Sequence, residues 1–239
     1  MLAHRLIGLA RSPGGGIADP TEVSGLLRWY EGDVLGLADG TAVSSWTDQS
    51  ANADHAVQAD SAKQPVLKTG VASGHDAVRF DGSNDWLTFA EILDSSAATA
   101  HIFVVSDSNA TGARVIMSTR QSDGQSGWSL RYNPQTTMQY FHAGGGATPI
   151  VSYSITDQLN IIEVQRNGLD VTLGANGALG TETAISTYVV SSADRTIIGA
   201  ENDGTASFLN GDIAEIVIYD HVLSAGDRTS VLDYLTAKY

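Results

Sequence analysis

No cysteine occurs among the 239 residues. A disulfide framework, a thiolate metal site and a thiol nucleophile are therefore excluded. Extracellular β-sandwiches often carry disulfides, so their absence leaves the compartment open. Lysine is nearly as scarce, with only Lys63, Lys68 and Lys238. Twenty-seven acidic residues against 13 basic ones give a formal net charge of −14, and most of such a surface repels a polyanion such as nucleic acid. Acidity of this kind favours solubility; cation binding or a basic partner is the sharper reading. No window approaches the roughly 20 apolar residues of a membrane helix, so no membrane insertion is expected. The opening MLAHRLIGLAR has a short apolar run interrupted by Arg5 and Arg11, whereas a secretory signal needs about 7–15 apolar residues in a row. No signal peptide is read there, which suggests release by another route, such as assembly into a particle freed by lysis. Helical periodicity is rare, and no repeat of about 20–50 residues stands out.

What the chain does carry is turn punctuation between short β-rich runs. Asn167-Gly168 separates Asn160–Gln165 from Leu169–Leu173, a strong hairpin signal, and Asn176-Gly177 marks a further turn. Ala100–Ser106 and Ala113–Ser118 read as core strands, and Gly127–Tyr132 with Thr137–Phe141 as a strand pair. Ala77–Phe80 and Trp86–Phe89 flank the turn Asp81-Gly82-Ser83-Asn84-Asp85 and predict a β-hairpin. Many closely spaced strands imply two packed antiparallel sheets. A hydrophobic content of 42% suffices for one all-β domain of about 200–250 residues. Residues 1–22 stand apart, since Ser12-Pro13-Gly14-Gly15-Gly16 and Asp19-Pro20 are breaks. The reading is an N-terminal arm with a Gly-rich hinge, followed by a domain over 23–239. Leu2, Leu6, Ile7 and Leu9, with Arg5 and Arg11, form a segment that either packs loosely or docks on another subunit.

The end of the chain organises the rest. Ile213–Tyr219 is apolar at nearly every position. Strict alternation puts Ala214, Ile216 and Ile218 on one face and Ile213, Val217 and Tyr219 on the other, so both faces need cover. Ser224 precedes Asp227 in the manner of a capping box, and Arg228, Val231, Leu232 and Leu235 follow at helical spacing. A buried strand, a loop and one terminal helix result.

The segment Gly211-Asp212-Ile213-Ala214-Glu215, followed by Leu223-Ser224, resembles the close of laminin-G-like, concanavalin A-like jelly-roll domains. Leu26–Trp29, Val43–Ser50, Ala77–Gly82 and Asp85-Trp86-Leu87 recur in that family in the same order, so the likeness spans roughly residues 23–239. It implies an all-β, two-sheet antiparallel sandwich with one short C-terminal helix. This fold serves adhesion, sugar binding, capsid decoration and hydrolysis alike. Domains of this kind are frequent in phage virion proteins.

Each site reading is open to test. Glu215 is an acid on a buried strand, expected to be structural and paired with Arg79 or Arg131. The Glu-x-Asp-x-x-Glu pattern of jelly-roll glycosidases is missing, as are a Gly-x-Ser-x-Gly elbow and a phosphate loop at Gly144–Gly146. No catalytic residue is therefore assigned, and no cofactor is required. Calcium takes six to eight oxygens, and Asp81, Asn84 and Asp85 are candidate ligands, with Ser83, Asp48 and Asn52 nearby. Trp29, Trp46, Trp86 and Trp128 read as core. Tyr140, His142 and Tyr153 flank the Gly144–Gly146 loop and are candidate glycan-binding residues. The preferred reading is a non-enzymatic, adhesive virion component, a bacteriophage capsid decoration or tail-associated protein. It would be a homo-oligomer at the virion surface, with its arm on other virion proteins. A carbohydrate-binding module of a cell-associated protein is the alternative, and a glycoside hydrolase or lyase the least favoured.

Overall fold

The structure is a computed structural model that describes residues 19–93, 95, 97–108, 112–120, 126–134, 136–142, 150–155, 159–185, 195–201 and 204–239. Among these, seventeen strands and one α-helix form. In chain order the strands are β1 (Leu26–Glu31), β2 (Ser45–Trp46), β3 (Ala56–Val57), β4 (Val66–Ala72), β5 (His75–Asp81) and β6 (Leu87–Ala90). Then come β7 (Thr99–Ser106), β8 (Arg114–Ser118), β9 (Trp128–Tyr132), β10 (Thr137–His142), β11 (Ile150–Ser154) and β12 (Asn160–Asn167). The last are β13 (Asp170–Ala175), β14 (Ala178–Leu179), β15 (Thr183–Ala184), β16 (Arg195–Ile198) and β17 (Asn210–Tyr219), before helix α1 (Ala225–Lys238).

All strand pairings are antiparallel. The first sheet runs β14-β13-β12-β7-β17-β5-β4, with β1 also on β17 and β15 also on β13. The second runs β11-β10-β9-β8-β16-β6-β3-β2. A large apolar core lies between them, built from side chains such as Ile102, Ile216 and Ile218 of the first sheet and Trp46, Trp128, Leu130 and Tyr140 of the second. A smaller core on the other face of the first sheet packs Phe103, Val105, Val217 and Tyr219 against Val231, Leu232 and Leu235 of α1. One sheet is thus covered twice, and the other once.

The expected two-sheet sandwich with a terminal helix is what forms, and three local expectations are corrected. Ala77–Phe80 and Trp86–Phe89 are not a hairpin. β5 pairs with β4 and β17, while β6 pairs with β16 and β3, so the turn at Asp81–Asp85 carries the chain from one sheet to the other. On β17 a bulge between Ile213 and Glu215 adds one residue and exchanges the faces before it. Ile213 joins Ile216 and Ile218 between the sheets, and Ala214 joins Val217 and Tyr219 beneath α1. The domain also begins before Val23. A 3-10 turn at Pro20–Glu22 is capped by Asp19, and the Tyr219 hydroxyl donates to Pro20 O at 3.0 Å. The rest of the expected arm, including Leu2, Arg5, Leu6, Ile7, Leu9 and Arg11, lies outside the described residues.

Helix α1 is tied down at both ends by buried carboxylates of the first sheet. Ser224 caps it by accepting from Asp227 N. One turn on, Arg228 donates through Nε and Nη2 to Glu163 at 2.6 and 2.8 Å. His101 Nε2 lies 2.7 Å from the same carboxylate. Because Leu223 N–H donates to His101 Nδ1, the ring proton sits on Nε2 and points at Glu163. Burial alone would raise Glu163, but hydrogen bonds from His101, Arg228 and Gln165 bring it down to about 2. At the far end Glu215 is fully buried. Its Oε1 accepts from Trp29 Nε1 at 2.8 Å and Tyr234 OH at 3.0 Å. Its Oε2 accepts from Lys238 Nζ at 2.8 Å and Tyr239 OH at 2.9 Å.

Neither expected arginine partner reaches Glu215. Strand register sets Arg79 opposite Asp212, which it grips with two bonds at 2.7 and 2.6 Å, and Arg131 belongs to the second sheet. The residue opposite Glu215 is Glu31, a like charge, and Lys238 answers both carboxylates. Burial pushes the Glu215 carboxyl above the ordinary glutamate value against the pull of Lys238. Burial would lower Lys238, but Glu215 and Glu31 hold it up. Removing the shared acid strands four donors, the Lys238 ammonium among them. Glu215→Ala should therefore cost about 3–5 kcal/mol in chemical denaturation, and Glu215→Gln, which retains an acceptor, clearly less. Equal stability of Glu215→Ala and the parent would refute the clamp.

Candidate binding face

The sequence singled out Tyr140, His142 and Tyr153, and the structure places all three on the core side of the second sheet. Tyr140 and His142 are fully buried. Tyr140 stacks on Trp128 and its hydroxyl accepts from Arg166 Nη1 at 2.7 Å. Tyr153 stands opposite Met138 and packs against the main core. A strand alternates its side chains, so the outward positions of β10 are the intervening ones, Gln139 and Phe141. Register sets them opposite Arg131 and Ser129 of β9. The clue lay in β9 itself, where Trp128, Leu130 and Tyr132 alternate with Ser129 and Arg131.

These outward residues form a connected polar and aromatic strip. Phe141 is half-buried and belongs to neither apolar core. The guanidinium carbons of Arg120 and Arg131 lie 4.3 and 4.6 Å from its ring centroid, within cation–π range. Arg120 Nη1 donates to Glu201 Oε2 at 2.9 Å, and Ser207 Oγ donates to Glu201 Oε1 at 2.6 Å. Gln139 Oε1 accepts from Arg131 Nε at 3.3 Å and Asn133 Nδ2 at 2.9 Å, while its amide donates to Ser152 Oγ at 3.4 Å. Burial draws Arg131 below the ordinary arginine value, the charge of Glu201 resists, and Arg120 adds to the decrease. A surface aromatic set among amides, hydroxyls and guanidinium groups offers both an apolar ring face and fixed donors to a polyhydroxylated ligand.

Fold and face can be set beside known proteins. A family model described as the concanavalin A-like lectin/glucanases superfamily, laminin-G-like branch, matches residues 72–227, well over half the chain. The chain belongs to this superfamily. No curated protein sequence matches it. Among solved structures it is similar to Trypanosoma rangeli sialidase in complex with sialic acid, at TM-score 0.59 and 12% identity, over 88% of this chain and 33% of that one. It is also similar to the receptor binding domain of botulinum neurotoxin D, at TM-score 0.61 and 11% identity, over 89% of this chain and 53% of that one. The binding domain of botulinum neurotoxin DC in complex with rat synaptotagmin II gives TM-score 0.60 and 10% identity, over 90% and 52%. The chain thus spans about a third of the sialidase and about half of the toxin domains. At these identities the likeness is one of fold.

In this concanavalin A-like sandwich the expected calcium ligands serve their own loop. Asp81 Oδ1 accepts from Ser83 N and Asn84 N at 2.8 and 3.3 Å. Asn84 Nδ2 donates to Ala62 O, and Asp85 Oδ2 accepts from Asp81 N at 3.0 Å. Asp48 is likewise engaged, with both oxygens accepting from backbone N–H groups of Trp29, Ser50 and Asp54. Among the described residues no three acidic or histidine side chains are grouped to hold a metal. These contacts are turn chemistry: the carboxylates cap N–H groups, and those of Asp81 and Asp85 do so where the chain passes from one sheet to the other.

Asp85 bears a cost for this. Burial, together with the nearby Asp81 charge, pushes its carboxyl up to about 6 despite the Asp81 N–H. A raised acid binds its proton more tightly when folded, so stability falls as pH rises from about 4 to 6. Asp85→Asn should therefore melt higher than the parent at pH 7, by about 2–4 °C for each kcal/mol relieved, and the gap should close near pH 4. Melting scans at the two pH values decide this. A gap that does not change with pH would show that the gain has nothing to do with ionisation of Asp85, and destabilisation at pH 7 would show that the ionised form is needed.

Proposed function

We propose that this protein is a non-enzymatic, adhesive, glycan-binding module that holds saccharide on the outward face of its second sheet. The observation that carries the reading is Phe141, an aromatic ring outside both cores and bordered by Arg131, Gln139, Ser152 and Arg120. The first sheet is closed by α1, whereas Gln139, Phe141 and Ser152 on the outward side of the second keep some exposure. The structural relatives described as receptor-binding domains, and the one in complex with sialic acid, support a recognition role. A binding role is also supported by where the carboxylates stand. Glycosidases flank the scissile bond with two carboxyl groups. Glu163 and Glu215 lie beneath α1, and Glu201 is held by Arg120 and Ser207. The proposal requires no cofactor.

The setting we propose is a virion surface, as a bacteriophage capsid decoration or tail-associated protein. The Gly-rich sequence break ahead of Asp19, preceded by apolar and basic residues suited to docking on other virion proteins or a second copy, favours it. A carbohydrate-binding module of a cell-associated protein uses the same face and is the alternative setting. The binding reading is tested by screening the protein and Phe141→Ala on a glycan array, then titrating the hits. Loss of the ring should weaken binding about tenfold, the equivalent of roughly 1.4 kcal/mol, with melting nearly unchanged. Undiminished binding by the variant would place the site elsewhere, and a blank array would overturn the reading.

A further inference from the structure

Resting on that reading of the second sheet, we infer that the saccharide it takes is acidic, with a carboxylate seated on Arg131. The two guanidinium groups of the strip are not equivalent. Arg120 is neutralised by Glu201 at 2.9 Å. Arg131 meets no carboxylate within ion-pair distance among the described residues. Its one hydrogen bond there is the 3.3 Å contact from Nε to Gln139. A guanidinium carries five N–H donors in a planar fork, so the Nη pair remains available. The Phe141 ring and the Gln139 amide hold that fork in place. A half-buried cation pays for its lost hydration unless an anion answers it, and a carboxylate matches the fork with two parallel bonds.

Charge narrows the ligand further. The strip sums to one excess positive charge, from Arg120, Arg131 and Glu201, on a chain of net charge −14. A long polyanion laid across this protein would meet mostly acidic surface, and repulsion would outweigh one favourable contact. A short saccharide with a single carboxylate engages the exception and little else. Its neutral ring has the part of Phe141 that Arg120 and Arg131 leave exposed to pack on, and its hydroxyls have Gln139 and Ser152.

The test uses two pairs of probes that differ in charge and little in shape: 3′-sialyllactose against lactose, and trigalacturonate against its methyl ester. Calorimetric titration of the full chain should show at least one acid binding about tenfold tighter than its neutral partner, with the preference shrinking as salt rises. The pair that shows it tells a sialic from a uronic acid. In Arg131→Gln the preference should vanish while melting remains unchanged; Arg131→Lys, a point charge without the fork, should restore only part of it. If neutral and acidic partners bind alike and both are lost in Phe141→Ala, the acid inference falls and the glycan-binding face stands. If the acid preference survives Arg131→Gln, the carboxylate sits elsewhere and the inference is overturned. If none of the four probes binds, while the array yields neutral glycans whose binding needs Phe141, the inference falls alone; a blank array takes both readings down.

Discussion

A carboxylate buried in the middle strand of a sheet is the constraint on which the rest of this structure turns. Glu215 sits opposite Glu31 on the neighbouring strand, and two acids at that spacing destabilise a sheet unless a cation answers them. The cation comes from the last turn of the chain: Lys238 reaches both, flanked by Tyr234 and Tyr239, whose hydroxyls complete the set of donors to Glu215. Helix α1 therefore has one place to lie. A second buried acid, Glu163, binds Arg228 at its other end, so the helix is pinned at two points along its axis. Apolar packing by Val231, Leu232 and Leu235 supplies attraction without direction, and the ion pairs supply register. Such pairs add little net stability over apolar replacements; what they fix here is position.

The existence of that helix and of a doubly covered strand was legible in the sequence, from the run Ile213–Tyr219 and the Ser224–Asp227 cap. The partner of Glu215 was not. A sequence shows that a buried acid needs a cation but not which one, because the answer depends on strand register. Register put Arg79 opposite Asp212 instead. The bulge at Ala214 was equally hidden. No glycine or proline marks it, yet it decides that Ile213 faces the second sheet and lets Glu215 face the helix along with Val217 and Tyr219.

The outward face of β10 was misread by one residue. A slip of one exchanges every side chain between core and surface, and Tyr140-Phe141-His142 gives no parity of its own, since each member is aromatic. Parity had to come from the partner strand, where Trp128, Leu130 and Tyr132 can only be the inner set. The turn residues Asp81, Asn84 and Asp85 illustrate a different limit. Carboxylates and amides clustered in a loop have the composition of a cation site and of a capped turn alike. Only the direction of each oxygen separates them, and here the oxygens point to N–H groups of the loop.

The asymmetry between the two sheets connects the buried clamp to the surface. Because α1 is fixed across the first sheet, that face is unavailable to a ligand, and its acidic residues are neutralised where they stand. The outward side of the second sheet is covered unevenly among the described residues: Ser129 and Ile197 are buried there, Gln139 and Thr88 are partly exposed, and Ser152 is exposed. A half-buried phenylalanine flanked by two guanidinium groups stands among them. Solubility alone would favour a polar residue at position 141, and sheet stability alone gives no reason to set Arg131 near Arg120, whose like charge works against it. The ring holds the two like charges apart through a cation–π contact to each, and on the proposed reading that arrangement serves recognition. On the proposed reading, the acidity of the remaining surface would act as a filter that holds off extended polyanions and favours a compact ligand at this strip.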